Sequence, residues 1–129
     1  HDELAPELRA KTQLFVDALA DPLKRPKIVA EMKVMDPKIV TQSKLIGSYL
    51  QLGETDLAYQ LMFESLDRDS RAWVHEWDLS AAWSVEGGAV RAHPRFGELA
   101  ERIGLIDYWK QYGFPDGCRA GQGTAVVCS

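Results

Sequence analysis

No run of 18 or more apolar residues occurs anywhere in this 129-residue chain, so the sequence offers no membrane-spanning helix. Basic charge is also short. Fifteen Lys and Arg stand against 19 Asp and Glu, and the net charge of −4 with a pI near 5.3 lacks the basic surface that phosphate contact requires. A nucleic-acid-binding module is therefore excluded as the reading of these residues. Strand-type alternation is missing as well, which leaves an all-α pattern. The opening His1-Asp2-Glu3 is neither a signal peptide nor a methionine start, and reads as the edge of a piece cut from a longer precursor.

Motifs for catalysis are equally sparse. His75-Glu76-Trp77-Asp78-Leu79 begins like a zinc-protease helix, but that motif needs histidines four residues apart, and Leu79 occupies the second position. No serine, cysteine or lysine sits in a nucleophile pattern, and Gly87-Gly88 matches neither phosphate-cradling motif. No catalytic residue, metal or cofactor is expected, and the chain reads as a non-enzyme.

What is present is a 46% hydrophobic composition, enough for one folded core. The only two cysteines, Cys118 and Cys128, lie close to each other at the tail with Gly121, Gln122 and Gly123 between them. A disulfide is the natural reading. It would contribute about 2–3 kcal/mol in the chain-entropy model and imply an oxidising compartment. Two free thiols in the cytosol remain an alternative, as does a metal pair, although zinc needs about four ligands and this spacing is too wide for a knuckle.

Apolar periodicity and breakers lay out helices in series. Leu4, Leu8, Phe15 and Leu19 mark a first helix, stopped at Asp21-Pro22. Asp21 as cap and Pro22 at the first position open a second, carrying Ile28, Val29, Met32 and Met35. Asp36-Pro37 repeats the device. A third helix then carries Ile39, Val40, Ile46 and Leu50 as far as Gly53, and Thr55 caps a fourth bearing Leu57, Leu61, Met62 and Leu66. The dense cluster Lys24, Arg25 and Lys27 reads as a solvated helix face, with an acidic or membrane partner as its alternative.

With Gly53 at the turn, the third and fourth helices resemble a tetratricopeptide repeat. Leu45, Tyr49, Ala58, Met62 and Ser65 fall where that motif places large, aromatic, small, bulky and small residues. Close helix approach needs a small side chain facing a large one. The pattern departs at Gln42, Ile46 and Ser70, and Lys24 occupies the small position of the preceding hairpin, which is at best a degenerate repeat. Stacked hairpins are stabilised by their neighbours, so Leu4, Leu8 or Phe15 would seek a partner, which makes self-association possible.

Beyond Asp69 the texture changes. Trp73, Trp77 and Trp83 fall within eleven residues, with Ser70 as a candidate cap. They read either as wedges between the hairpin and the C-terminal helices or as the lining of a ligand groove. Ser84–Arg91 is a short helix or turn, and His93-Pro94 opens a helix with Phe96, Leu99, Ala100 and Ile103 on its face. Gly104 ends it. Leu105–Tyr112 is the last helix, with Ile106 and Trp109 inside and Gly113 as its stop.

The block His93-Pro94-Arg95-Phe96, Gly104-Leu105, Asp107-Tyr108-Trp109, Pro115-Asp116-Gly117-Cys118 and Cys128 resembles the C-terminal end of bacterial tetratricopeptide-repeat regulators. In these, a winged-helix or nucleotide-cyclase output domain is joined, often through one membrane span, to a helical-repeat sensor. The resemblance covers roughly residues 37–128. Together with the helix pattern read above, the chain is expected to form one domain, with tetratricopeptide-like antiparallel hairpins over 1–69, aromatic-rich helices over 70–113 and a Cys-clasped tail over 114–129. The resemblance implies a protein or peptide partner, and Arg91 and Arg95 as family arginines serving either as structural pairs or in partner recognition; the expected disulfide points to the periplasmic side of an inner-membrane protein, with the cytoplasm as the alternative. Gln42 and Tyr49 are the candidate contacts of a concave groove. The alternatives are a small-molecule sensor lined by Trp73, Trp77 and Trp83, an oligomerisation module, and an enzyme, which would require a polar cleft with coupled acids or a metal.

Overall fold

The structure, a computed structural model, describes residues 5–35, 41–75, 77, 88–122 and 126–128. Helix accounts for 72% of them, which makes the protein all-α with one short strand pair. Helix α1, Ala5–Ala20, ends where Asp21 turns to an extended conformation and its carboxylate accepts from the Leu23 amide at 3.0 Å. Proline does not open a continuous second helix. Pro22–Lys24 forms a single 3₁₀ turn, and α2 runs Arg25–Lys33, burying Ile28, Val29 and Met32 and leaving Met35 beyond its end.

The buried face of α1 differs from the expected one. Ala18 is fully buried and Leu14 and Phe15 pack on the core, whereas Leu8 and Leu19 are exposed. The α1–α2 contact selected the face carrying the small Ala18, because close approach of two backbones favours a small side chain over a leucine.

Helix α3, Gln42–Gln51, starts after Thr41, whose hydroxyl accepts from the Lys44 amide. The expected starting residues Ile39 and Val40 lie outside the described residues, and so does Leu4. At its other end Gly53 has φ +80°, its N–H bonds the Leu50 carbonyl at 3.1 Å, and the Glu54 N–H bonds the Tyr49 carbonyl at 2.8 Å. These two bonds form a Schellman cap, a geometry that a β-carbon would strain. Helix α4, Thr55–Arg68, follows at once and packs along α3. Thr55 is its first residue rather than its cap, since Glu54 holds the cap position.

Helices α3 and α4 supply a large share of the core. Ile46, Tyr49, Ala58, Met62, Ser65 and Leu66 are buried, Leu45 is half-buried, and the Ser65 hydroxyl donates to the Leu61 carbonyl at 2.9 Å. Tyr59 and Phe63, on the same helix, are buried against the C-terminal half.

That half begins with α5, Ala72–His75, entered through Asp69, whose carboxylate accepts from the Arg71 amide at 2.9 Å; the cap expected at Ser70 is one residue earlier. Helix α6, Gly88–Ala92, buries Val90, and α7, Phe96–Arg102, buries Phe96, Leu99 and Ala100. His93 and Pro94 form a turn ahead of α7, and Gly104, at φ +84°, swings the chain into α8, Leu105–Tyr112, which buries Ile106 and Trp109. The tail then forms what the alternation pattern did not announce, an antiparallel hairpin of β1, Cys118–Ala120, and β2, Val126–Cys128. Three residues per strand are too few to show a period of two. Cys118 and Cys128 face each other in register and are joined by the disulfide.

Candidate functional site

Two arrangements bring candidate residues together. The first is an open groove of about 470 Å³ between α2, α3 and α4. Gln42, Leu45 and Tyr49 line it from α3, at the three- and four-residue spacing that puts them on one helix face. Leu57, Gln60 and Leu61 line it from α4, and Met32, Lys33 and Met35 close the α2 side. The lining is mixed, with Met32, Met35, Leu45, Leu57 and Leu61 as its apolar side chains and the Gln42 and Gln60 amides, the Lys33 ammonium and the Tyr49 phenol as its polar ones. Tyr49 is buried. Loss of hydration and the nearby Glu54 carboxylate raise its hydroxyl pKa, so the phenol stays neutral and able to donate a hydrogen bond.

The second arrangement joins α4 to α6 and α7. The Tyr59 hydroxyl donates to the Val90 carbonyl at 2.7 Å, and burial raises its pKa strongly, with the Arg95 charge opposing. His93 stacks on the Tyr59 ring. Its Nδ1 accepts from the Arg95 amide at 3.1 Å, which assigns the proton to Nε2, placed 2.7 Å from Asp56 Oδ1. In this tautomer both ring nitrogens are engaged, leaving neither to act as a general base. Arg95 binds the Glu98 carboxylate through Nε and Nη2 at 2.9 and 3.0 Å, with its guanidinium 3.9 Å from the Phe63 ring centroid. Arg102 bonds Asp67 at 3.0 Å.

The expected site residues therefore divide. Gln42 and Tyr49 share the groove. Arg91 is half-buried on α6, and Arg95 belongs to the α4–α7 junction. Trp73 and Trp77 pack against the core, and the Trp77 indole N–H is buried with no partner among the described residues. Trp83, Glu76, Asp78 and Leu79 lie outside the described residues. Lys24 and Lys27 are exposed, whereas Arg25 turns inward over Gly53, so the basic cluster is not one solvated face. Sequence reasoning missed Asp56, Tyr59, Phe63 and Glu98. The spacing of Tyr59 and Phe63, one turn apart on α4, was the available signal for a second buried stripe.

No family model, curated protein or solved structure matches this chain. Its function must be argued from geometry. Among the described residues no three His, Cys, Asp or Glu side chains gather as a metal site, and no helix is long and apolar enough to cross a membrane.

Proposed function

We propose that this chain is a non-catalytic interaction or sensory domain of a larger bacterial regulator, and that it holds a peptide or partner helix in the α2–α3–α4 groove. The observation that carries the reading is the convergence of Gln42 and Tyr49 with Met32, Leu45 and Leu61 around one open concavity. Apolar anchors supply affinity, flexible methionines adapt to the partner, and the amides fix its register. The C-terminal resemblance to tetratricopeptide-repeat regulators supports the same role, and the repeat-like placement of Tyr49, Ala58, Met62 and Ser65 in the core agrees with it. The Cys118–Cys128 bond supports an oxidising location, on the periplasmic side of the inner membrane.

The test is selection of binding peptides from a random display library on the oxidised protein, followed by titration of the winners against Leu45→Lys and Gln42→Ala. Loss of at least tenfold in affinity with Leu45→Lys, while the circular dichroism spectrum is kept, is the expected result. Peptides that bind both variants as tightly as the parent would place recognition elsewhere. The Trp77 N–H, buried without a partner among the described residues, favours a second reading, a small polar ligand accepting from that indole. Quenched tryptophan fluorescence and a raised melting temperature in a metabolite screen would support it.

A further inference from the structure

We infer that the groove between α2, α3 and α4 takes an uncharged, proline-containing peptide segment in the polyproline II conformation, held through its backbone carbonyls by Tyr49 and Gln42. This rests on the reading of the groove as a peptide site and names the chemistry of its occupant. Tyr49 is 3% exposed and lines the groove, yet its hydroxyl makes no hydrogen bond among the described residues. A buried phenol ordinarily has a partner, as Tyr59 has in the Val90 carbonyl. The Tyr49 hydroxyl is therefore a donor whose acceptor comes from outside the chain. The Gln42 amide is likewise unbonded among the described residues, whereas the Gln60 amide already donates to Glu64 at 3.1 Å.

The spacing of these two free donors selects the conformation of the occupant. Tyr49 follows Gln42 by two helical turns, a separation of about 10.5 Å along α3. Polyproline II repeats every three residues at about 3.1 Å each, so carbonyls on one face recur at about 9.3 Å, within reach of both side chains. A pleated strand repeats on one side about every 6.7 Å, which is too short at one repeat and too long at two. A partner helix would leave both donors unsatisfied, because its carbonyls are bonded within the helix. With the Lys33 ammonium added, free donors outnumber free acceptors in the lining, and proline brings a carbonyl without an N–H to be buried. Charge calls for no ionic occupant: Lys33, and Arg25 over the Gly53 turn, are balanced by Glu54 beside Tyr49 and Glu64 bonded to Gln60.

Two display libraries of peptides about twelve residues long, selected on the oxidised chain, test the inference: one has proline fixed at every third position, the other a helix-favouring Ala-Glu-Lys frame. The proline library should yield the tighter binders. Their affinity should fall about fivefold or more with Tyr49→Phe, a substitution that leaves the melting temperature unchanged or raised because the hydroxyl bonds nothing inside the fold. Binders on the helical frame that match or exceed the proline winners would overturn the inference. So would proline winners that bind Tyr49→Phe as tightly as the parent while losing affinity for Leu45→Lys, a result that keeps the groove as a peptide site. No binder from either frame or from the random library would overturn both readings.

Discussion

His93 lies face to face with Tyr59, ring centroids 3.9 Å apart and planes within 13°, and this stack joins the second half of the molecule to α4. The two rings are held from opposite ends. The tyrosine hydroxyl bonds the Val90 carbonyl, and the imidazole bonds Asp56 and the Arg95 amide. Exposure separates these bonds in energy, since Tyr59 is 1% exposed while the Asp56 side chain is 95% exposed.

Tyr59→Phe should therefore cost about 1 kcal/mol, because it removes a buried hydrogen bond and leaves the Val90 carbonyl only the longer bond from the His93 amide at 3.3 Å. Asp56→Ala should cost at most about 0.5 kcal/mol, as solvent screens and replaces an exposed partner. Urea denaturation of both variants checks the order.

Two glycines on α3 and its turn should respond with opposite sign. Gly53→Ala forces a β-carbon at φ +80° and places it 3.3 Å from the Arg25 guanidinium, for a loss of about 1 kcal/mol or more. Gly47 is exposed inside α3 with nothing within 4 Å of an added β-carbon, so Gly47→Ala should stabilise by about 0.5–1 kcal/mol. Thermal unfolding of the pair is the measurement.

The hydrogen bonds from Arg95 hold the Glu98 carboxyl below the usual glutamate range, and the arginine's charge adds to them. A depressed carboxylate adds stability above the unfolded-state pKa, and that contribution is lost as pH falls through the folded value. Carbon-detected NMR should find Glu98 titrating low, and Arg95→Gln should return it upward. High salt should act in the same direction, because the pair is exposed.

Reduction of Cys118–Cys128 should lower stability by about 2–3 kcal/mol and release β2, which packs against α6 and α7. Melting with and without reductant measures the loss. Hydrogen exchange should show faster turnover at the Val126–Cys128 amides while α3 and α4 keep their protection.

Much of this architecture was legible because it is local. Asp21-Pro22 stops α1 wherever α1 packs, Gly53 caps α3 through backbone geometry alone, and Gly104 acts similarly ahead of α8. The groove was half legible: Gln42 and Tyr49 were identified from one helix, but the facing Met32 and Leu61 come from two others. The α4–α7 junction was not legible. Asp56 and His93 are 37 residues apart, and no periodicity connects a carboxylate on one helix to an imidazole on a distant turn.

Helix content, breaks and caps thus belong to the chain, since each depends on dihedral preferences and hydrogen bonds within a few residues. Which faces are buried belongs to the tertiary structure. Leu8 and Leu19 are as apolar as the core leucines yet stay outside, while Ala18 goes inside because it lets α2 come close. Burial is a property of contacts between elements. Only the assembled fold could therefore select Tyr59 as a strut, place Arg25 over the Gly53 turn, and pair two three-residue strands across a disulfide.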